Sequence, residues 1–196
     1  MKCFKKDTPH ENEPIIPVTA KFRTKIKSDG TIEKLKARVC LRGDKQAELT
    51  DFDTWCPIGT FRDLKMFLTF AAFYKCKVHQ LDFIGEFLQA TAKNRTFTTL
   101  PTEWKELFPD LQEWFGIPLL LLKSIYGSTD SARNWDDTLA DFLVNDFGFQ
   151  RCPSSGSISV YKKEELFMFL LNVVDDQLYF ANCPNLCRDF EERTKQ

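Results

Sequence analysis

The stretch Leu166-Phe167-Met168-Phe169-Leu170-Leu171-Asn172-Val173-Val174-Asp175-Asp176-Gln177-Leu178-Tyr179-Phe180 decides the fold. Leu166 to Val174 is almost wholly apolar and has the length of a buried strand. Asp175-Asp176 interrupts it, and Gln177 to Phe180 resumes as a second strand. Two strands meeting head to tail at paired carboxyls form a hairpin, because Asp commonly occupies tight turns. Alone, the pair reads either as a solvated turn or as a place where two carboxylates hold a divalent cation. Hard cations such as Mg²⁺ take oxygen ligands, usually one or two carboxylates together with substrate phosphates.

Working outward, Ser157 to Tyr161 reads as the preceding strand, with Lys162 to Glu165 as its turn, and a helix runs from Asn185 onward. Ser131 to Phe147 is an amphipathic helix carrying Trp135, Leu139, Phe142, Leu143 and Phe147 on one face, stopped by Gly148. Val78 to Asp82 is a short strand ending on an acid. A sheet that sets it beside the hairpin brings Asp82 near Asp175, and carboxylates at short range repel unless a cation neutralises them. Thr60 to Tyr74 has helical spacing of Phe61, Leu64 and Leu68, while Arg95 to Leu100 and Leu119 to Lys123 read as strands.

At the N-terminal end, residues 1–14 are polar, contain Pro9 and Pro14, and read as a disordered arm. Lys21 to Lys27 alternates basic and apolar residues, Ser28-Asp29-Gly30 signals a turn, and Leu35 to Arg42 alternates again. This predicts a β-hairpin with Lys36, Arg38 and Arg42 facing outward and Gly43 ending it. The order of elements gives an α+β fold, an antiparallel sheet with helices packed on one face.

Hydrophobic residues make up 43% of the 196, enough to build a core. The charge balance, 27 basic against 28 acidic residues for a net −1, counts mildly against a nucleic-acid partner, since phosphate neutralisation favours basic proteins. A local basic strip beside an acidic centre is compatible with that balance. Seven cysteines, a start lacking the apolar core of a signal peptide, and apolar runs such as Ile117 to Leu122 too short for a bilayer predict a reduced, intracellular protein with no membrane partner.

Several segments together resemble the reverse transcriptases of copia-like retrotransposons. Leu35-Lys36-Ala37-Arg38-Val39-Cys40-Leu41-Arg42-Gly43-Asp44-Lys45-Gln46 resembles the family's Lys-Ala-Arg-Leu-Val-Ala-Arg-Gly-Asp stretch. Trp55-Cys56-Pro57 followed by Phe61-Arg62-Asp63-Leu64-Lys65 is similar to the entry to its first palm helix. His79-Gln80-Leu81-Asp82-Phe83-Ile84-Gly85-Glu86-Phe87-Leu88-Gln89 is similar to the strand bearing its first metal-binding Asp. Leu122-Lys123-Ser124-Ile125-Tyr126-Gly127 with Trp135, and Val173-Val174-Asp175-Asp176, are similar to its last two motifs.

The resemblance implies an RNA-directed DNA polymerase domain of a polyprotein, using two Mg²⁺ (or Mn²⁺) ions, a primer–template of RNA or DNA, and deoxynucleoside triphosphates. Thumb, RNase H and integrase segments are implied as partners, and the location as cytoplasmic virus-like particles or the nucleus. Fingers are expected over 15–75 and 91–123, palm over 76–90 and 124–196, without a thumb. It implies Asp82, Asp175 and Asp176 as catalytic metal ligands, helped by the carbonyl of Phe83. Phe87 would be a steric gate against a ribose 2′-hydroxyl. Lys36, Arg38 and Arg42 would bind nucleotide, and Tyr126, Gly127 and Arg133 nucleic acid. Three departures stand out: Val173 where the family has Tyr, Glu86 where it has Ala, and the acidic segment Ser128-Thr129-Asp130-Ser131-Ala132 after Tyr-Gly. They motivate an alternative, a catalytically decayed or domesticated palm that binds nucleic acid without polymerising.

Overall fold

The computed structural model describes residues 2–174 and 176–194, so Asp175 lies outside the described residues. In chain order the strands are β1 (Phe4–Lys6), β2 (Ile15–Ile26), β3 (Ile32–Leu41), β4 (His79–Asp82), β5 (Phe97–Thr99), β6 (Leu119–Leu121), β7 (Gln150–Cys152), β8 (Ser155–Lys163), β9 (Leu166–Val173) and β10 (Asp176–Ala181). The α-helices are α1 (Gly43–Leu49), α2 (Phe61–Phe73), α3 (Glu86–Gln89), α4 (Ser131–Asp141) and α5 (Pro184–Arg193). The chain divides into two compact units, Met1–Thr54 with Phe87–Trp135, and Trp55–Glu86 with Asp136–Gln196.

In the second unit, β9 lies at the centre of a wholly antiparallel sheet of order β4-β10-β9-β8-β7. Side chains alternate faces along a strand, so a run apolar at nearly every position must bury both. It does. Leu171 joins Ile158 and Phe180 under Phe67 and Ala71 of α2 on one face. On the other, Met168 and Leu170 are fully buried, and Tyr179 packs edge-on to Phe190 of α5, ring centroids 5.1 Å apart. The expectation of helices on one face is therefore corrected to helices on both, and the cause is the composition of β9.

Helix α2 starts where its sequence dictates. Thr60 and Asp63 form a capping box: the Asp63 amide donates to Thr60 Oγ1 at 3.2 Å, and the Thr60 amide to Asp63 Oδ2 at 2.9 Å. The amphipathic helix begins as α4 but widens to a π-helix over Phe142–Phe147, closed by Gly148 at φ +92°.

The first unit holds a sheet of order β1-β6-β5-β2-β3, in which β2 and β5 are parallel. Within the polar arm, Phe4–Lys6 forms β1 against β6, and Phe4 packs on the cluster of Ile16, Val18, Leu41, Leu121 and Ile125. Gly43 opens the short helix α1, an element the sequence reading left out. The segment between β5 and β6 forms two 3₁₀ turns, Thr102–Glu106 and Pro109–Trp114. The fold is mixed, with mostly antiparallel sheets.

Candidate active site

In the second unit, β9 and β10 are joined by a two-residue turn, because Val173 and Asp176 are Cα partners. Such tight hairpin turns need a positive φ at their first residue. Val174 supplies it at φ +61°. A β-branched residue there costs about 1–3 kcal/mol and persists only where the surroundings over-determine it. The surroundings do so here. The Gly59 amide donates to Asn172 O at 3.1 Å, and a Cβ on Gly59 would sit 2.9 Å from that oxygen and 3.0 Å from Val173.

The turn fixes the register of β10 against β4, and Asp176 stands directly opposite Asp82. Directly opposed residues share a face with Cβ atoms about 4.5–5.5 Å apart, and like charges there are destabilising. Both carboxylates are exposed. Gln80, two residues before Asp82 on the same face, donates from Nε2 to Asp176 Oδ1 at 3.0 Å. The sequence reading gave Gln80 no role. The alternation of strand faces was the signal that could have found it.

The remaining candidates in this unit are placed more simply. Phe83 follows Asp82 as a half-buried residue at the strand end. Asp175, in the turn, lies outside the described residues. Among the described residues no three His, Cys, Asp or Glu side chains gather as a metal cluster. Asp82 and Asp176 stand as two exposed carboxylates on one face of the sheet.

The first unit gathers a second group. Arg38 lies over the ring of Tyr126, 4.8 Å from its centroid, and Phe87 meets the same ring edge-on at 5.3 Å. Lys36 is two residues from Arg38 and so on the same strand face. Gly127, at φ +83°, lets the chain pass against β3: a Cβ there would sit 2.3 Å from Leu41 O. Arg42 lies beyond β3 as the N-cap of α1 and is engaged by Asp44, with Nη2–Oδ2 at 2.5 Å. The Arg42 guanidinium holds the Asp44 carboxyl down to about 2. Arg133 pairs with Asp53 at 2.8 Å.

Residues 5–196 match the family described as Reverse transcriptase (RNA-dependent DNA polymerase). The chain belongs to the reverse transcriptase family. Curated relatives of this reverse transcriptase domain include the retrovirus-related Pol polyproteins from transposons RE1 and RE2 of Arabidopsis thaliana. These are 26% and 27% identical over 89% and 82% of the chain. A third is the Pol polyprotein from transposon TNT 1-94 of Nicotiana tabacum, 26% identical over 83% of the chain. The chain spans only 11–12% of the length of these relatives. The resemblance to copia-like retrotransposon reverse transcriptases drawn from the motifs is borne out by this match.

Against that family, the departures acquire structure. Asp130, in the segment that read as acidic, is buried and fully engaged. It accepts from Ser128 Oγ at 2.6 Å, Asn94 Nδ2 at 2.9 Å and Asn134 Nδ2 at 3.2 Å, just ahead of α4. A carboxylate at a helix N-terminus is favourably placed, and this one is buried among side-chain donors. Glu86, at the start of α3, is buried too. Val173 is the β9 residue paired with Asp176.

Proposed function

We propose that this chain is the catalytic part of an RNA-directed DNA polymerase within a retrotransposon polyprotein, joining deoxynucleotides to a primer 3′-hydroxyl. The observation that carries the reading is the pairing of Asp82 with Asp176, two exposed carboxylates opposed on one sheet face. Their repulsion makes a divalent cation the natural third component. Asp82, Asp175 and Asp176, with the carbonyl of Phe83, would hold two Mg²⁺ or Mn²⁺ ions. Such ions, when bound, activate the attacking hydroxyl and neutralise charge on the leaving pyrophosphate.

The chain's own residues do the rest. Gln80 orients the Asp176 carboxylate by occupying one oxygen and leaving the other for a ligand. Lys36 and Arg38 neutralise triphosphate, with Arg38 steadied on Tyr126. Phe87, braced by the same ring, excludes a ribose 2′-hydroxyl. Arg42, Gly127 and Arg133 serve nucleotide or template binding as the family resemblance implies. Fingers and palm would follow the division of residues 15–75 and 91–123 from 76–90 and 124–196, with thumb, RNase H and integrase supplied by the rest of a polyprotein. Virus-like particles or the nucleus is the setting this chemistry fits.

A second reading, nucleic-acid binding without turnover, is favoured by Val173, which puts an aliphatic group beside Asp176 where the family carries Tyr. Primer extension on a primed RNA template separates the two. The polymerase reading expects Mg²⁺-dependent incorporation by the polypeptide in which the chain is naturally translated. Salt-sensitive binding with no incorporation in either Mg²⁺ or Mn²⁺ would reject it in favour of the second.

A further inference from the structure

The turn at Val174 is not the one that local sequence favours. A two-residue turn built on Asp175 and Asp176 would place Asp, which tolerates a positive φ, where the chain holds a β-branched residue at φ +61°. That turn would pair Val174 with Gln177, set Asn172 opposite Tyr179, and take Asp176 out of the ladder with Asp82. Apolar packing does little to choose between the two pairings. On the face toward α2, Leu178 and Phe180 stand opposite Leu171 and Phe169. In the alternative they would stand opposite Val173 and Leu171, apolar again. The bond from the Gly59 amide to Asn172 O holds β9 alone. At the far end of β10, the Tyr179 hydroxyl donates to Glu191, which fixes that end and not the tip.

Next to the tip, Asn172 and Gln177 are directly opposed. Both are buried, Gln177 completely. Asn172 Oδ1 and both polar atoms of the Gln177 side chain have no hydrogen-bond partner among the described residues. Arg151, which borders the small cavity beside Asn172, is already engaged by Asp136 at 2.9 Å and by Gly156 O. On its other side Gln177 faces Leu81 of β4, whose side chain offers no polar group. The side chain that suits each amide is therefore the one across the hairpin. Gln177 has N–H donors and Asn172 an acceptor, and opposed Cβ atoms lie about 4.5–5.5 Å apart, so a side-chain rotation mates them. A buried amide left unmatched is costly, whereas a mated one is not. The observed pairing brings the two amides together; the alternative would leave Gln177 beside Val174 and Asn172 beside the Tyr179 ring.

We propose that Asn172 and Gln177 are positioning residues: their amides, mated across β9 and β10, hold the hairpin tip in the register that sets Asp176 opposite Asp82. They act through Asp176 and not on the reacting atoms. A polar pair that specifies one register at some loss of stability has the logic of a buried amide fixing the register of paired helices. The use made of the carboxylates rests on the polymerase reading; the register does not.

The test compares the whole parent chain with Asn172→Leu, Gln177→Leu, N172L/Q177L and the exchanged pair N172Q/Q177N. Each single change strands one amide and is expected to raise the unfolding equilibrium constant about tenfold, while the double change, which strands none, raises it less than either. In amide NMR spectra the parent and the exchanged pair should give one signal each for Asp82, Asp176 and Leu178. N172L/Q177L should give several at those positions, with Phe180 single throughout. The half-saturating Mn²⁺ concentration should rise about tenfold in N172L/Q177L and return toward the parent value in the exchanged pair. A merely structural pair would move the unfolding constant and neither of the other readouts. Single tip signals in N172L/Q177L, or a double change as damaging as both singles combined, overturn the proposal. So does a Mn²⁺ affinity unchanged in N172L/Q177L where Asp82→Asn abolishes it. If Asp82→Asn itself leaves Mn²⁺ binding unchanged, the carboxylate site fails, and the tip signals decide the amide pair.

Discussion

The two units solve opposite problems with the same element. In the second, hairpin β9–β10 is sunk in a core on both faces, and among the described residues Asp176 is its exposed polar side chain. In the first, hairpin β2–β3 is anchored at its base and exposed beyond it, with cations on one face and Phe22, Leu35, Ile26 and Ile32 exposed on the other. The first arrangement gives precision, because packing dictates where a carboxylate stands. The second gives reach and charge, at the cost of local stability.

Truncating the core should break the contrast most strongly. Phe67→Ala removes a fully buried ring that meets Phe180 edge-on at 4.9 Å, and should cost about 3–5 kcal/mol in denaturant unfolding. A value under 1 kcal/mol would mean α2 is not packed as described. Next, Gln80→Leu removes the amide that orients Asp176 while leaving the fold intact. The half-saturating Mn²⁺ concentration, read by titration of bound metal, should rise about tenfold, with no change if Gln80 is merely a surface residue.

Thr60→Ala should cost about 1 kcal/mol through the lost cap. Hydrogen bonds from the Thr60 hydroxyl and amide hold the Asp63 carboxyl below its usual range. A depressed folded pKa contributes stability that is present above the unfolded value and lost as pH falls through the folded one. The gap between Thr60→Ala and the parent should therefore be widest near neutral pH and narrow in acid; a pH-independent gap would contradict the capping box. The smallest effect belongs to the hairpin. Phe22→Ala, at a side chain 79% exposed, should change stability by no more than about 0.5 kcal/mol in the same unfolding measurement.

Much of this was legible in the sequence, and for identifiable reasons. The apolar run of β9, the acid ending β4 and the Ser28-Asp29-Gly30 turn each carry a local signal, and each element lies where that signal put it. What the sequence could not supply was register. It expected Asp82 beside Asp175, which lies outside the described residues; the partner of Asp82 in the ladder is Asp176. A slip of one residue turns every side chain to the other face, and only the two-residue turn settles it. The bond from Gln80 to Asp176 is a register effect of the same kind. The burial of Asp130 has a different origin: one of its partners, Asn94, is distant in sequence, so the segment itself carries no signal of it. Strand β7 is only three residues long and offers too little pattern to read.

The central claim is that Asp82 and Asp176 form one metal-dependent catalytic row. Its most direct test is incorporation of deoxynucleotides on a primed RNA template by the naturally translated polypeptide, with Asp82→Asn beside the parent over a Mg²⁺ titration. The account predicts incorporation that requires Mg²⁺ and falls at least about 10³-fold in Asp82→Asn, the loss of several kcal/mol of metal-borne stabilisation. It also predicts thermal stability that is unchanged or slightly raised, because a repulsive pair has been relieved. Incorporation that survives Asp82→Asn within tenfold, in a variant that still folds, would contradict it.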